Sequence, residues 1–131
     1  MEQDISSRQI AVYLHIPFCL THCGYCTFFS VPYSKSSLEL YLQYLHKEID
    51  LIFQYHPDLA YAKSIYFGGG TPSLLRAEDI AELCAHFNFS KESEITLEIN
   101  PLQITKNYLS ALKNTPVNRL SIGIQSMDNE E

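Results

Sequence analysis

The sequence predicts an α/β protein built on a parallel sheet, and three observations carry that expectation. Four short apolar runs alternate with three amphipathic helical stretches in the order β-α-β-α-β-α-β, the pattern of strands joined by right-handed crossovers. Each apolar run stops at Pro, Gly or a polar residue. The residue types that bear chemistry gather just past those stops, the side on which parallel α/β folds bind ligands. The chain has 131 residues, 46% of them apolar, which suits one domain with a core of its own.

In chain order, residues 1–9 are polar and read as a loose arm, leaving 10–131 as the folded unit. Ile10-Ala11-Val12-Tyr13-Leu14-His15-Ile16 reads as a buried strand ended by Pro17, with His15 packed into it. Ser36 with Glu39 forms a capping box for a helix of about 17 residues, with Leu38, Tyr41, Leu42, Leu45, Ile49 and Ile52 on its apolar stripe. Tyr44, His46 and Tyr55 fall off the stripe and read as surface. His56-Pro57-Asp58 breaks the helix, and Ser64-Ile65-Tyr66-Phe67 is a second strand running into Gly68-Gly69-Gly70-Thr71-Pro72-Ser73. Leu75, Ala77, Ile80, Leu83, Cys84 and Phe87 follow at helical spacing, with Cys84 as a small buried hydrophobe. Glu94–Ile99 is a third strand stopped by Asn100-Pro101. Thr105–Lys113 is a short helix with Tyr108, Leu109 and Leu112 inward, and Arg119–Ser126 is a fourth strand with a polar end.

Three of the four cysteines, Cys19, Cys23 and Cys26, fall within eight residues after the first strand. Gaps of three and then two residues let one loop fold three soft thiolates around one centre, an iron–sulfur cluster or zinc. A disulfide suits three cysteines in one short loop poorly. Zinc would need a fourth ligand, for which His22 is available. Phe28 and Phe29 read as a lid over such a centre. Three consecutive glycines after the second strand make either a flexible loop or a rim at which a ligand meets bare backbone. Glu98, near the end of a buried strand, needs a partner; that is either an ion pair, with Arg119 available, or a ligand. The formal charge of −6 comes without a basic stripe, so nucleic acid is a poor partner. No run of about 18 apolar residues or signal-peptide pattern is present, and a cytoplasmic, reducing setting is the expectation.

Cys19-x3-Cys23-x2-Cys26, with Tyr25 before the third cysteine, resembles the signature of the radical S-adenosylmethionine (SAM) superfamily. Tyr13-x-His15-Ile16-Pro17-Phe18-Cys19 resembles its coproporphyrinogen III oxidase-like branch. The resemblance implies a partial barrel, of whose (β/α)6 core the first four strands are here, and a [4Fe–4S] cluster held by Cys19, Cys23 and Cys26 with one open iron for SAM. It further implies SAM contacts from Tyr13, Tyr25, Gly69, Gly70 and Thr71, from Glu98 in Glu-x-Asn-Pro to the ribose, and from Gln125, with Ser126 assisting.

Within the branch, the oxidases carry a fourth cysteine two residues after the third, where this chain has Phe28. In this respect it is similar to the HemW group of haem chaperones, which implies haem as a further ligand, haem-requiring proteins as recipients, an electron donor for the cluster, and membrane contact only through a client. The His-Asn-x-x-Tyr-Trp segment linked to haem in that group has no counterpart in these residues, and its site is expected past residue 131. The alternatives are an oxidase acting on a porphyrinogen and an inactive remnant with intact motifs. Replacing Cys19, Cys23 or Cys26 by Ala is expected to abolish iron–sulfur absorption after anaerobic reconstitution, and Cys84→Ala to leave it unchanged.

Overall fold

The computed structural model describes residues 9–128, so all of the expected N-terminal arm except Gln9 lies outside the described residues. Its centre is a four-stranded parallel sheet of β1 (Ile10–Ile16), β4 (Ala62–Gly69), β5 (Glu94–Ile99) and β6 (Arg119–Ile122), in that spatial order. Strand order follows chain order without reversal. Crossovers of one hand then put every helix on the same face and leave the other face open, which is barrel winding and not the doubly wound kind. The helices are α1 (Lys35–Tyr55), α2 (Ala77–Cys84) and α3 (Lys106–Leu112). Two residue pairs, β2 (Phe18–Cys19) and β3 (Val31–Pro32), form a small second sheet that the sequence pattern did not suggest.

The core lies between the sheet and the helices. Leu14, Ile16, Ile65, Phe67, Ile95 and Leu97 from the strands meet Leu38, Leu42, Leu45 and Ile49 of α1 and Ile80, Leu83 and Cys84 of α2. Cys84 has no exposed surface, and burial pushes its thiol pKa up to about 12, so it behaves as the small hydrophobe expected. Between β5 and β6, Asn118 stands in for a strand pair: its Oδ1 accepts from the Ile95 N–H and its Nδ2 donates to the Ser93 carbonyl, both at 2.8 Å.

Several local expectations are corrected. The cap of α1 is Ser34, whose Oγ accepts from the Ser37 N–H at 3.1 Å, and the helix runs to 21 residues because it begins before Ser36 and continues past Ile52. Glu39 lies 3.8 Å from Lys35 as an exposed i,i+4 pair. Ile52 is 41% exposed, while Phe53 packs edge-on against Phe87 in its place. Tyr44 and Tyr55 are on the surface as read, but His46 is half-buried, its Nδ1 2.7 Å from Nε2 of His86, whose Nδ1 lies 3.2 Å from Asp50. The second strand extends to Ala62 and Gly69, and the fourth stops at Ile122, leaving Gly123–Ser126 outside the sheet. Truncating Phe67, at 0% exposure in the middle of the sheet, to Ala is expected to cost about 3–5 kcal/mol in chemical denaturation of the intact protein.

Candidate functional site

Parallel register places paired residues on the same face. Tyr13 pairs with Tyr66, Tyr66 with Thr96 and Thr96 with Arg119; two residues on, His15 pairs with Gly68 and Glu98 with Ser121. These alternate with the core residues, so the open face of the sheet is lined by polar and aromatic groups. Tyr13 stacks on Tyr66 with ring centroids 6.1 Å apart, and its hydroxyl is 3.1 Å from His15 Nδ1. His15 is thus half-buried on the site face, not simply packed in the core.

Glu98 belongs to this face. Its Oε1 accepts from the Tyr66 hydroxyl at 2.6 Å and its Oε2 from the Gly69 N–H at 3.3 Å. Arg119 pairs instead with Glu94, at 3.4 Å, so the expected ion-pair alternative for Glu98 is not formed. Donating to a carboxylate, and then partial burial, raise the Tyr66 pKa and keep its phenol protonated; burial, followed by the Glu98 charge, raises that of Tyr13. Sequence reading passed over Tyr66 within an apolar run, although its place between Ile65 and Phe67 already put it on the opposite face.

The cysteine loop leaves β1 at Pro17 and is pinned at both ends. The Val31 N–H donates to the Pro17 carbonyl at 2.7 Å and the Tyr33 N–H to the Cys19 carbonyl at 2.9 Å. The glycine segment closes on its base. The Gly70 N–H reaches the Ile16 carbonyl at 2.8 Å, and Thr71 Oγ1 lies 3.4 Å from Cys19 Sγ. A Cβ on Gly70 would sit 2.7 Å from the Phe18 carbonyl oxygen and 3.0 Å from Cys19 Sγ, so only Gly permits this approach. Gly69 adopts φ +122°, and a Cβ there would meet His15 and the Ile16 carbonyl at 2.8–2.9 Å. The glycine run is therefore a fitted rim and not a flexible loop.

Cys23 is exposed, and Cys19 and Cys26 half-exposed, all three as free thiols. Among the described residues no three His, Cys, Asp or Glu side chains are arranged to hold a metal ion. Three thiols on one anchored loop, next to bare glycine backbone and a carboxylate, fit a thiolate-held cluster with a polar small molecule beside it. Tyr25 lies against Cys23, whose hydrogen bond is the main cause of its raised pKa. Phe28 and Phe29, the expected lid, are 71% and 70% exposed on the loop that carries the cysteines. Gln125 is exposed beyond the end of β6, and Ser126, half-buried, accepts from the Asp128 N–H. The structure thus brings Tyr13, Gly69, Gly70, Thr71, Glu98 and Cys19 together, with Tyr25, Cys23 and Cys26 out on the loop.

An open-faced parallel α/β sheet with a three-thiol loop and a glycine rim at the carboxyl ends of its strands is the arrangement of an α/β barrel that binds its ligands at that end. The radical SAM superfamily matches residues 13–130, and the chain belongs to it. Membership implies a [4Fe–4S] cluster and SAM. The chain is 34% identical to anaerobilin synthase of Escherichia coli O157:H7 over 99% of its length, and 35% identical to the haem chaperone HemW of Buchnera aphidicola subsp. Schizaphis graminum over 92%. It spans 30% and 33% of those proteins. Its fold matches that of the Escherichia coli coproporphyrinogen III oxidase HemN, described as a radical SAM enzyme, with a TM-score of 0.80 and 31% identity, covering 94% of this chain and 29% of that one. Among the described residues no helix is long and apolar enough to cross a membrane. Gly70→Ala is expected to push the glycine rim off Cys19 and to lower stability by about 1–3 kcal/mol, read as a reduced denaturation midpoint.

Proposed function

We propose that this chain is the N-terminal part of a radical SAM core acting as a haem chaperone of the HemW type in the cytoplasm, holding a [4Fe–4S] cluster and SAM and passing haem to haem-requiring proteins. In this reading Cys19, Cys23 and Cys26 hold the cluster. Gly69, Gly70 and Thr71 offer backbone and hydroxyl groups to the aminocarboxylate end of SAM, and Glu98 accepts from its ribose hydroxyls. Tyr13, Tyr25 and Gln125 complete the cofactor contacts. A reduced cluster held by these cysteines would supply the electron for SAM cleavage. The chain's own part is to bind and orient: Tyr66 and the Gly69 N–H fix the Glu98 carboxylate, and Thr71 ties the glycine rim to Cys19.

The observation that carries the chaperone reading is Phe28, which stands where the oxidases have a fourth cysteine and which cannot ligate iron. Similarity to HemW over 92% of the chain supports it. The oxidase reading, conversion of a porphyrinogen, is favoured by the fold match to HemN. The intact protein, reconstituted anaerobically, is expected to bind haem stoichiometrically and to form no protoporphyrinogen from coproporphyrinogen III in the presence of SAM and reductant. Substantial product would reverse the choice between the two readings.

A further inference from the structure

The three cysteines of the loop are not equivalent. Cys19, in β2, is paired with Pro32 of β3, and its carbonyl accepts from the Tyr33 N–H at 2.9 Å, so its backbone is fixed. Cys23 and Cys26 lie farther along the loop, and Cys23 is exposed. The Thr71 hydroxyl donates to Cys19 Sγ at 3.4 Å. Thr71 is itself held: the Leu74 N–H donates to its carbonyl at 3.0 Å, the buried Pro72 follows it, and its branched Cβ restricts the rotamer. The Gly70 N–H, bonded to the Ile16 carbonyl at 2.8 Å, closes this segment on the base of the loop. Thr71 is half-buried, so water competes for its bond less than on the exposed stretch where Tyr25 lies against Cys23.

We propose that Thr71 tunes the cluster, raising its reduction potential by donating a hydrogen bond to the Cys19 thiolate. Adding an electron to a thiolate-held cluster puts more negative charge on its sulfurs. A donor aimed at one of them therefore stabilises the reduced form more than the oxidised form. A hydroxyl has one proton, and at Thr71 it goes to sulfur, while the oxygen's lone pairs stay available to a second partner. A bond that only tied the glycine rim to the loop would change stability and leave the potential where it was. This inference rests on the cluster assignment above and adds to it the side chain that adjusts the cluster's readiness to accept an electron.

The test uses the intact protein, reconstituted anaerobically and titrated potentiometrically without SAM, with the reduced cluster followed by electron paramagnetic resonance. No contact between Thr71 and SAM then enters the result. Thr71→Val keeps the side-chain shape and removes the O–H. With unchanged iron and sulfide content, it is expected to lower the one-electron reduction equilibrium constant about tenfold, a shift of about 59 mV to more negative potential. Thr71→Ser, which retains the hydroxyl, is expected to stay near the wild-type potential. In the wild-type protein the hydroxyl proton is expected as an exchangeable coupling to the reduced cluster in electron–nuclear double resonance, lost on transfer to deuterium oxide. Absence of that coupling would overturn the proposal even where Thr71→Val fails to hold a cluster. A cluster-replete Thr71→Val protein with the wild-type potential, or a Thr71→Ser protein shifted as far as Thr71→Val, would overturn it and leave the cluster reading standing. Failure of the wild-type protein to hold a cluster would overturn both.

Discussion

The rest of the site depends on the parallel pairing of β1 with β4. Seven residue pairs, ending at Ile16 with Gly69, bring two segments about fifty positions apart in sequence into register at their carboxyl ends. The cysteine loop can leave β1, and the glycine rim can leave β4, only at this shared edge. The close approach then excludes side chains: at Gly70 the gap to the Phe18 carbonyl and Cys19 Sγ leaves no room for a Cβ. Register and bare backbone together set the sulfur loop against a polar rim.

The second constraint is charge on the open face. A carboxylate at Glu98, half-buried among strands, carries a desolvation cost that hydrogen-bond donors must offset. The donors present are a phenol and a backbone N–H, not a cation. An arginine there would form an ion pair and occupy the carboxylate. Neutral donors hold its orientation while leaving accepting capacity for the hydroxyls of a ligand. Arg119 is kept away by Glu94 and by Thr96, whose hydroxyl accepts from it at 3.3 Å.

Much of this was legible in the residues. Strand and helix order, the buried character of Cys84, the inward Leu112 and the chemical identity of the cysteine and glycine segments follow from local pattern. The errors were of two kinds. At α1 the Ser36–Glu39 spacing points to Ser36 as the cap, whereas Ser34 takes the role because its own Oγ reaches the Ser37 N–H. In the strands, His15 and Tyr66 read as part of apolar runs, although they alternate with the core residues and share with Tyr13 and Glu98 a face that no helix covers.

The sequence by itself determined the four strands of the main sheet, the three helices, their order, the three-thiol spacing and the family resemblance, because periodicity and short-range spacing are local properties of the chain. Tertiary structure decided which residues meet. Tyr66 became a partner of Glu98, Thr71 a neighbour of Cys19, and His46 a neighbour of His86. The physical reason is that strand register and crossover packing fix distances between positions far apart in sequence, and one strand's spacing carries no information about the strand beside it.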